Sequence, residues 1–500
     1  MPDLHAFDWA ILAAYFAAVF TVGYCFGRRE ENSEDFVAAG RRMPWGAVLF
    51  SIIATEISAV TFLSVPGEGF ANNLSYLQFG VGSLCARFFI AGFFLTAFYA
   101  SRYLTIYSYL ADRFGVRSRY TAAIYFLITR ILASSVRLLI ATYGLAVFFG
   151  IPLWISLLVF TVASLLYTSF GGLKAVIWTD LLQACVFVAG GVAVALFLQA
   201  EVGWGSILAS GAETGRLELF RFRPDGGAGW IGWLSDPGIF YFAFFNGLVM
   251  TAAALGTDQD MMQRVLSCRE VKRARWSMIL SGFVGIPIAA GFLFIGVGLW
   301  VYFQEFPDPG LPGLVEHGRV AADQVFPYFI SEVLPFGMRG LLLIGIFATA
   351  MSSLDSAVSA LSSSVVIDLY RPLIRKHGNE RHYLVVNRIC VVGFGILLAV
   401  LAWSFRDAEG FLWLGFKLVS ITYGSLLGVF LVGVLTRRGS DRGNVVGMIA
   451  GSMAAVVLLV GTEVLGWPIA WTWTIIVGAL VTFGCGVIPA GDDGPHPGAG

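Results

Sequence analysis

A succession of long apolar segments along almost the whole chain constrains the fold most strongly. Each segment is about as long as the roughly 20 residues that a helix needs to cross the hydrocarbon core of a bilayer. Backbone groups in lipid have no water to bond, so each segment is predicted to be a helix. Thirteen spans are predicted, over residues 7–27, 43–71, 76–100, 120–149, 152–170, 174–200, 237–256, 276–303, 338–370, 384–405, 409–436, 444–465 and 467–489.

The composition also indicates that lipid surrounds the chain. Only 13% of the residues are charged, which is about half the share of a soluble domain, and the mean hydropathy is +0.78. The formal net charge is zero and no basic block occurs, so nucleic acid is not expected as a partner. The six cysteines are scattered through apolar runs, and we interpret them as small apolar side chains rather than disulfide or zinc ligands.

The distribution of Lys and Arg predicts the orientation. With the N-terminus outside, most of the 32 basic residues, Arg264 among them, fall in inner loops. The odd number of spans then places the C-terminus in the cytoplasm, and the protein in the cell inner (plasma) membrane with many passes. Two long outer segments, 201–236 and 304–337, either cover an outer vestibule or are plain connections. The sequence does not indicate an oligomeric state.

The second span contains a stretch that is unusual for a membrane helix. Residues 54–61 mix small, hydroxyl and β-branched side chains, and Pro66-Gly67 follows. This mixture is typical of a helix that breaks in the membrane and offers carbonyls to a cation, although Ser and Thr also occur where helices pack. Ionisable residues inside spans mark a function by default, with snorkelling or an internal ion pair as the alternative. Those placed deep are Glu56, Arg87, Arg130, Arg137, Asp180, Asp355 and Lys417.

The ninth span carries a polar face. Thr349, Ser352, Ser353 and Ser356 recur at offsets of three and four, so they share one side of a helix, and Asp355 lies beside them. A row of hydroxyls that ends on a carboxylate is suited to sodium. Ordinary helix packing explains the serines as well, but not the aspartate.

Three motifs occur in order along the chain. The most specific extends from Tyr167 to Gln183 and includes Gly171-Gly172 and Thr179-Asp180. Gly256-Thr257-Asp258-Gln259 with Gln263-Arg264 is the second, and a weaker one extends from Tyr423 to Gly428. Together they resemble the sodium:solute symporter family over nearly the whole chain.

This resemblance implies an all-α integral membrane fold of two inverted five-helix repeats, each with a broken first helix. One helix precedes the repeats and two follow. Residues 1–500 then form a single transporter domain, with the first helix at 7–27, repeat one at 43–200, repeat two at 237–436 and the final two helices at 444–489.

The resemblance also implies sodium as the coupling ion. The ligands would be the backbone carbonyls of Ala54, Ile57 and Thr349 and the hydroxyls of Ser352 and Ser353. The family's bacterial sialic acid carriers have a second sodium site, which is matched here by Asp180, Ser352, Ser353, Asp355 and Ser356. Asp355 replaces a serine of those carriers, and its added charge either strengthens the site or lets one carboxylate hold a proton.

The solute contacts follow from the same carriers. Ser58 and Thr61 match the Ser and Thr that bind the substrate carboxylate, and Arg130 and Arg137 lie one turn to either side of the position of the basic partner. The further candidates are Thr55, Glu56 and Gln78. A sugar acid such as sialic acid is favoured as the solute, with a neutral sugar, inositol, monocarboxylate or amino acid as the alternative.

The predicted function is therefore sodium-coupled import of a small organic solute by alternating access. An uncoupled channel or facilitator of the same fold is one alternative, and a membrane enzyme is another. All five histidines lie in loops or tails and no nucleophile–base arrangement occurs, which argues against the enzyme.

Overall fold

A computed structural model of the protein shows a bundle of long helices. The residues that it describes are 5–27, 33–57, 60–101, 103–224, 229–308, 310, 315–316, 319–320, 322–406 and 411–488. The helices up to residue 235 are α1 (Ala6–Gly27), α2 (Ser33–Ala38), α3 (Trp45–Glu56), α4 (Val65–Ala71), α5 (Leu77–Phe89), α6 (Leu95–Ala100), α7 (Tyr107–Arg113), α8 (Val116–Phe149), α9 (Leu153–Glu201), α10 (Trp204–Glu213) and α11 (Gly229–Ser235).

Ten further helices follow, and a short hairpin interrupts them. The helices are α12 (Phe240–Gly256), α13 (Gln259–Leu266), α14 (Val271–Glu305), α15 (Ala322–Glu332), α16 (Met338–Ser364), α17 (Arg371–Leu373), α18 (Glu380–Ser404), α19 (Phe411–Leu435), α20 (Asp441–Glu463) and α21 (Trp473–Val487). The strands β1 (Val315–Glu316) and β2 (Arg319–Val320) pair antiparallel in the segment before α15.

The predicted spans can be compared with the described helices. Ten helices are long and apolar enough to cross a membrane, and the bent pair of α3 and α4 brings the number to eleven. The two other predicted spans correspond to shorter apolar helices, Leu153–Leu166 and Trp473–Val487. The all-helical membrane fold is confirmed, while thirteen complete crossings stay a prediction because these two helices are shorter than about 20 residues.

The fifth and sixth predicted spans form one element, α9, with a kink between them. The kink lies at Gly172, whose φ is 40° and ψ −172°. Glycine adopts such angles easily because it has no Cβ, whereas other residues are strained there. The tight turn predicted at Gly171-Gly172 is thereby confirmed.

Both predicted repeats begin with a broken helix. The two halves of the second span are bent by 61°. The seventh span ends at Gly256, and the chain leaves helical geometry at Thr257 and Asp258 before α13 begins. The prediction that residue 264 lies in an inner loop was wrong, because every residue of α13 is buried. Helix α13 is amphipathic and returns into the bundle, which covers both its apolar and its polar face.

The ninth span, α16, is the central helix of the bundle. Of its most apolar window 94% is buried, against 17% for α1 and 22% for α18. It packs against α9, α8, α18 and α1, and its small and hydroxyl side chains permit this close packing. Asp8 of α1 accepts hydrogen bonds from the backbone N–H groups of Gly337 (2.7 Å) and Gly340 (2.8 Å) at the N-terminal end of α16.

Glycines set the contact between α5 and α12. A Cβ on Gly82 would lie 1.9 Å from the carbonyl oxygen of Phe244, and one on Gly247 would lie 2.2 Å from that of Phe79. Small residues at such positions let helix backbones approach closely in membranes. The central cavity lies beside this contact.

Candidate functional site

The break in the second span places the end of a helix inside the bundle. Helix α3 ends at Glu56, and Ile57 leaves helical geometry with φ −80° and ψ 74°. The last carbonyls of a helix have no partner in the next turn, and α3 packs directly against α16. The predicted carbonyl ligands Ala54 and Ile57 therefore lie where a cation can reach backbone oxygens. Ser58 lies outside the described residues.

The polar face of α16 lies opposite this break. The Thr349 hydroxyl donates to the carbonyls of Gly345 (3.0 Å) and Ile346 (3.1 Å) of its own helix, and the Ser353 hydroxyl donates to the Thr349 carbonyl (3.0 Å). Of these three hydroxyls, that of Ser352 is the one seen to bond to another helix among the described residues, because it donates to Asp180 Oδ1 at 2.6 Å. All three side chains are buried. The structure thus brings together Ser352 and Asp180, which belong to the two predicted sodium sites.

Asp180 is surrounded by donors from several helices. Besides Ser352, the hydroxyl of Ser51 on α3 donates to its Oδ2 (2.5 Å), and the Arg264 Nη2 lies 3.4 Å from the same oxygen. Arg264 also donates to Ser51 Oγ (2.9 Å) and to Ser356 Oγ. Two predicted ligands of the second sodium site, Asp180 and Ser356, therefore share one guanidinium in this structure.

An ion-pair cluster extends from Arg264 to α8, and consists of Arg130, Asp180, Asp258, Asp260 and Arg264. Arg264 pairs with Asp260, which also pairs with Arg130, and Arg130 Nη1 lies 3.5 Å from Asp258 Oδ2. No member of the cluster is more than 1% exposed. With every group ionised, three carboxylates face two guanidinium groups, so the cluster has one negative charge in excess.

Asp355 is held separately from this cluster. Its Oδ1 accepts a hydrogen bond from the Thr168 hydroxyl at 2.6 Å, and its buried Oδ2 has no partner among the described residues. A buried carboxylate without a cation or a full set of donors is costly. Asp355 is therefore placed to gain from a further cation on this side of α16.

A central cavity of about 200 Å³ lies between α3, α5, α8, α12, α14 and α19. Its charged lining residues, among those described, are Glu56, Arg87 and Arg137. Glu56 forms an ion pair with Arg87, whose Nη1 donates to Ser281 Oγ at 2.6 Å. Arg137 forms no ion pair with a described residue, and its Nη1 has no hydrogen-bond partner among them. The cavity therefore offers one unpaired cation and one ion pair.

The predicted solute contacts separate into two groups. Glu56, Thr61 and Arg137 line the cavity. Three others do not: Thr55 donates to the Ser51 carbonyl (2.9 Å), Arg130 belongs to the ion-pair cluster, and Gln78 donates to the carbonyls of Ser75 (3.0 Å) and Gly238 (2.9 Å). The Gln78 Oε1 also accepts from the backbone N–H of Arg221 (3.0 Å), so Gln78 holds the segment 201–236 rather than reaching the cavity.

An aromatic lid, made of Tyr76, Phe79, Trp413 and Phe416, covers the cavity. The Tyr76–Phe79 and Phe79–Phe416 ring centroids are 6.2 and 6.1 Å apart, and Trp413 lies 6.0 Å from Phe416. All four rings also line a second cavity of about 580 Å³, to which segment 201–236 contributes residues such as Glu218 and Asp236. The lid thus separates the central cavity from a larger vestibule.

The tyrosine of the third motif connects the cavity to the ion-pair cluster. Tyr423 lines the cavity and donates to Asp258 Oδ2 at 2.7 Å. The sequence analysis missed this connection and the roles of Asp258 and Asp260. A signal was present, because the apolar residues of α13 alternate with polar ones at helical spacing.

Comparisons with known proteins agree with this geometry. Residues 36–451 match the family model described as the sodium:solute symporter family. The sodium/sialic acid symporter SiaT of Proteus mirabilis is 26% identical over 93% of this chain and 91% of its own. Sodium-coupled monocarboxylate transporter 2 of Danio rerio is 28% identical over 97% of this chain and 76% of its own.

A solved structure shares the fold. It is that of a Na⁺-coupled sialic acid symporter in a substrate-bound, outward-open state, with a TM-score of 0.85 and 23% identity over 97% of this chain and 98% of that one. The match of the family model extends over most of the chain, so sodium is the coupling ion and the protein is a membrane transporter rather than an enzyme. The chain belongs to the sodium:solute symporter family.

Proposed function

We propose that the chain imports an organic anion with a carboxylate group together with sodium, and that the solute is a sugar acid such as a sialic acid. Arg137 carries the proposal, because it lies on the wall of the central cavity and its guanidinium forms no ion pair with a described residue. A guanidinium binds a carboxylate through two parallel, charge-assisted hydrogen bonds. Thr61 lines the same cavity and supplies a hydroxyl.

The relatives support an anion as the solute class. Two are named for sialic acid and for monocarboxylates, and the human sodium/iodide cotransporter is 26% identical over 90% of this chain. Each of these solutes carries a negative charge at neutral pH. A monocarboxylate is the second candidate, because much of the cavity wall is apolar and includes Val136, Met250, Leu255 and Ile286.

We further propose that sodium binds where α3 ends against α16. The ligands would be Ala54, Ile57, Thr349, Ser352 and Ser353. The free carbonyls of the helix end and the buried hydroxyls of α16 support this site. A second sodium ion is proposed at Asp180, Asp355 and Ser356, supported by the excess negative charge of the ion-pair cluster and by the partnerless oxygen of Asp355.

The proposed transport cycle moves the repeats at 43–200 and 237–436 against each other. The Lys and Arg distribution supports an N-terminus outside and a cytoplasmic C-terminus. A reporter that fluoresces only in the cytoplasm, fused to the C-terminus, is expected to be bright. A dark fusion with normal expression would reverse the orientation.

The experiment is uptake of labelled N-acetylneuraminate into proteoliposomes under an inward sodium gradient. We expect accumulation above equilibrium in the wild type, and a rise of about tenfold or more in the half-saturating concentration for Arg137→Gln, from the loss of a charge-assisted hydrogen bond. Arg388→Gln is the matched control, because Arg388 is an exposed arginine of α18 outside the cavity.

Two results would contradict the proposal. Normal uptake by Arg137→Gln removes the guanidinium from the solute site. If N-acetylneuraminate is not transported, a thermal-shift screen with and without sodium over sugar acids, neutral sugars, inositols, monocarboxylates and amino acids identifies the class. Stabilisation by a neutral solute only would refute an anion.

A further inference from the structure

The ion pair of Glu56 and Arg87 on the cavity wall has an asymmetric exposure. The side chain of Glu56 is 32% exposed, whereas that of Arg87 is 3% exposed. Arg87 extends from α5 behind Glu56 and is fixed by Ser281 Oγ of α14, next to Gly282, where a Cβ would lie 2.6 Å from Arg87 Cδ. Both side chains line the cavity, but the carboxylate of Glu56 is the more accessible member of the pair.

The cavity has two charged places, one at Arg137 and one at the pair of Glu56 and Arg87, and their net charges differ. Arg137 forms no ion pair with a described residue, while the charge of Glu56 is offset by Arg87. The charge of Arg137 interacts at longer range with the carboxylates of Asp258 and Glu56. A solute that fills both places needs one anionic group for Arg137 and hydrogen-bond donors for the Glu56 oxygens.

The donors that suit Glu56 are neutral ones. A carboxylate whose charge is already offset gains less from an ammonium group, and a zwitterion would leave the charge of Arg137 without a net counterpart. Hydroxyl and amide N–H groups donate to a carboxylate without adding charge, in hydrogen bonds stronger than neutral ones.

We infer that the pair of Glu56 and Arg87 determines the specificity of the solute site. It selects a carboxylate solute that also carries hydroxyl or amide hydrogen-bond donors. This inference rests on the proposed function and distinguishes its two candidate solutes, a sugar acid and a monocarboxylate. A sugar acid reaches both Arg137 and Glu56, whereas a simple monocarboxylate reaches only Arg137. Arg87 acts as a positioning residue, since it holds Glu56 and its own side chain is only 3% exposed at the cavity wall.

The test compares two double variants, because removing one partner alone leaves a buried charge unpaired. Glu56→Leu with Arg87→Met removes both charges and every acceptor, while Glu56→Gln with Arg87→Met removes the charges and keeps one acceptor. The probes are N-acetylneuraminate and lactate, measured by sodium-dependent uptake and by mutual competition in proteoliposomes.

We expect the Leu/Met variant to raise the half-saturating concentration of N-acetylneuraminate by about tenfold or more and that of lactate by less than about twofold. The Gln/Met variant should recover part of this loss, which a merely structural pair would not do. Equal rises in the half-saturating concentrations of N-acetylneuraminate and lactate would overturn the inference. So would a competition assay in which the free amino acid glutamine, a zwitterion, binds the wild type more tightly than N-acetylneuraminate. Failure of the proposed function is distinguishable, because it leaves Arg137→Gln without effect on either carboxylate.

Discussion

The central cavity is closed on two sides by opposite kinds of chemistry. On one side lies the ion-pair cluster, in which five charged side chains from α8, α9, and α13 with its preceding residue are no more than 1% exposed. On the other lies the aromatic lid, whose rings meet at centroid distances near 6 Å and border an open vestibule. The cluster is held by directed hydrogen bonds between charges, and the lid by stacking and apolar contact.

This difference indicates which side opens with less free energy. Separating buried ions from their partners costs several kcal/mol, about 3–5 for removal of one partner. Separating an aromatic pair costs about 0.5–1.5 kcal/mol beyond the burial of its surface. We therefore expect the carrier to open at the lid more easily than at the cluster.

The largest effect is expected from breaking the cluster. Arg264→Ala leaves Asp180, Asp260 and Ser356 without their shared donor, and should lower the free energy of unfolding by about 3–5 kcal/mol and abolish uptake. Thermal unfolding and proteoliposome uptake measure both effects. Arg273→Ala is the control, because its pair with Glu270 is 56% exposed on both sides, and its loss should cost no more than about 1 kcal/mol. Equal stability of the two variants would mean that the cluster does not seal the carrier.

The excess negative charge of the cluster gives the second prediction. If sodium ions balance Asp180 and Asp355, the wild type should show a sodium Hill coefficient close to about two. Asp180→Asn and Asp355→Ala should each lower it toward about one, with Asp180→Asn also losing affinity because that residue bonds Ser352 directly. Sodium-dependent uptake at fixed solute measures the coefficient. A wild-type value near one, unaffected by pH, would make both aspartates structural.

A smaller effect on sodium dependence is expected at Ser352 and Ser353 of α16, and its size should differ between the two. Ser352→Ala removes a donor that reaches Asp180 on α9, whereas Ser353→Ala removes one that bonds only within α16. Both should raise the half-saturating sodium concentration, by about threefold to tenfold, with the larger rise for Ser352→Ala. Unchanged sodium dependence in both variants would exclude the hydroxyls as ligands.

The smallest effect is expected at the lid. Phe416→Leu removes the ring contacts with Phe79 and Trp413 but keeps an apolar side chain, so stability should fall by no more than about 1.5 kcal/mol per lost pair. Sodium affinity should not change, since the lid contacts no predicted ligand of sodium. A loss of uptake as complete as that of Arg264→Ala would show that the lid is as essential to closure as the cluster.

Length and apolarity made the bundle predictable, because the cost of unpaired backbone in lipid leaves helices as the outcome of such segments. Local chemistry identified the kink at Gly172 and the break after Glu56. The return of α13 into the bundle could not be predicted in the same way. Its residues 259–266 are half polar, and only the partners on α8, α9 and α16 show that the polar half is buried.

Partners on other parts of the chain also decide where the candidate solute-binding residues lie. Arg130 and Arg137 lie seven residues apart on α8, and a helix of 3.6 residues per turn puts them on nearly the same face. Their different roles arise from depth, since Arg130 reaches the level of Asp258 and Asp260 while Arg137 reaches the cavity. Gln78 was predicted to reach the solute, but backbone groups of Ser75, Arg221 and Gly238 occupy its amide.

The carboxylate of Asp8 gives α1 an influence that its position outside both predicted repeats would not suggest. It caps the N-terminal end of α16 by accepting two backbone N–H bonds, and its negative charge is favourable beside the positive end of the helix dipole. The peripheral first helix is thus a mechanical anchor for the helix that presents Ser352 and Ser353. A purification tag or truncation that displaces α1 would release that anchor and change the carrier's response to sodium at a distance.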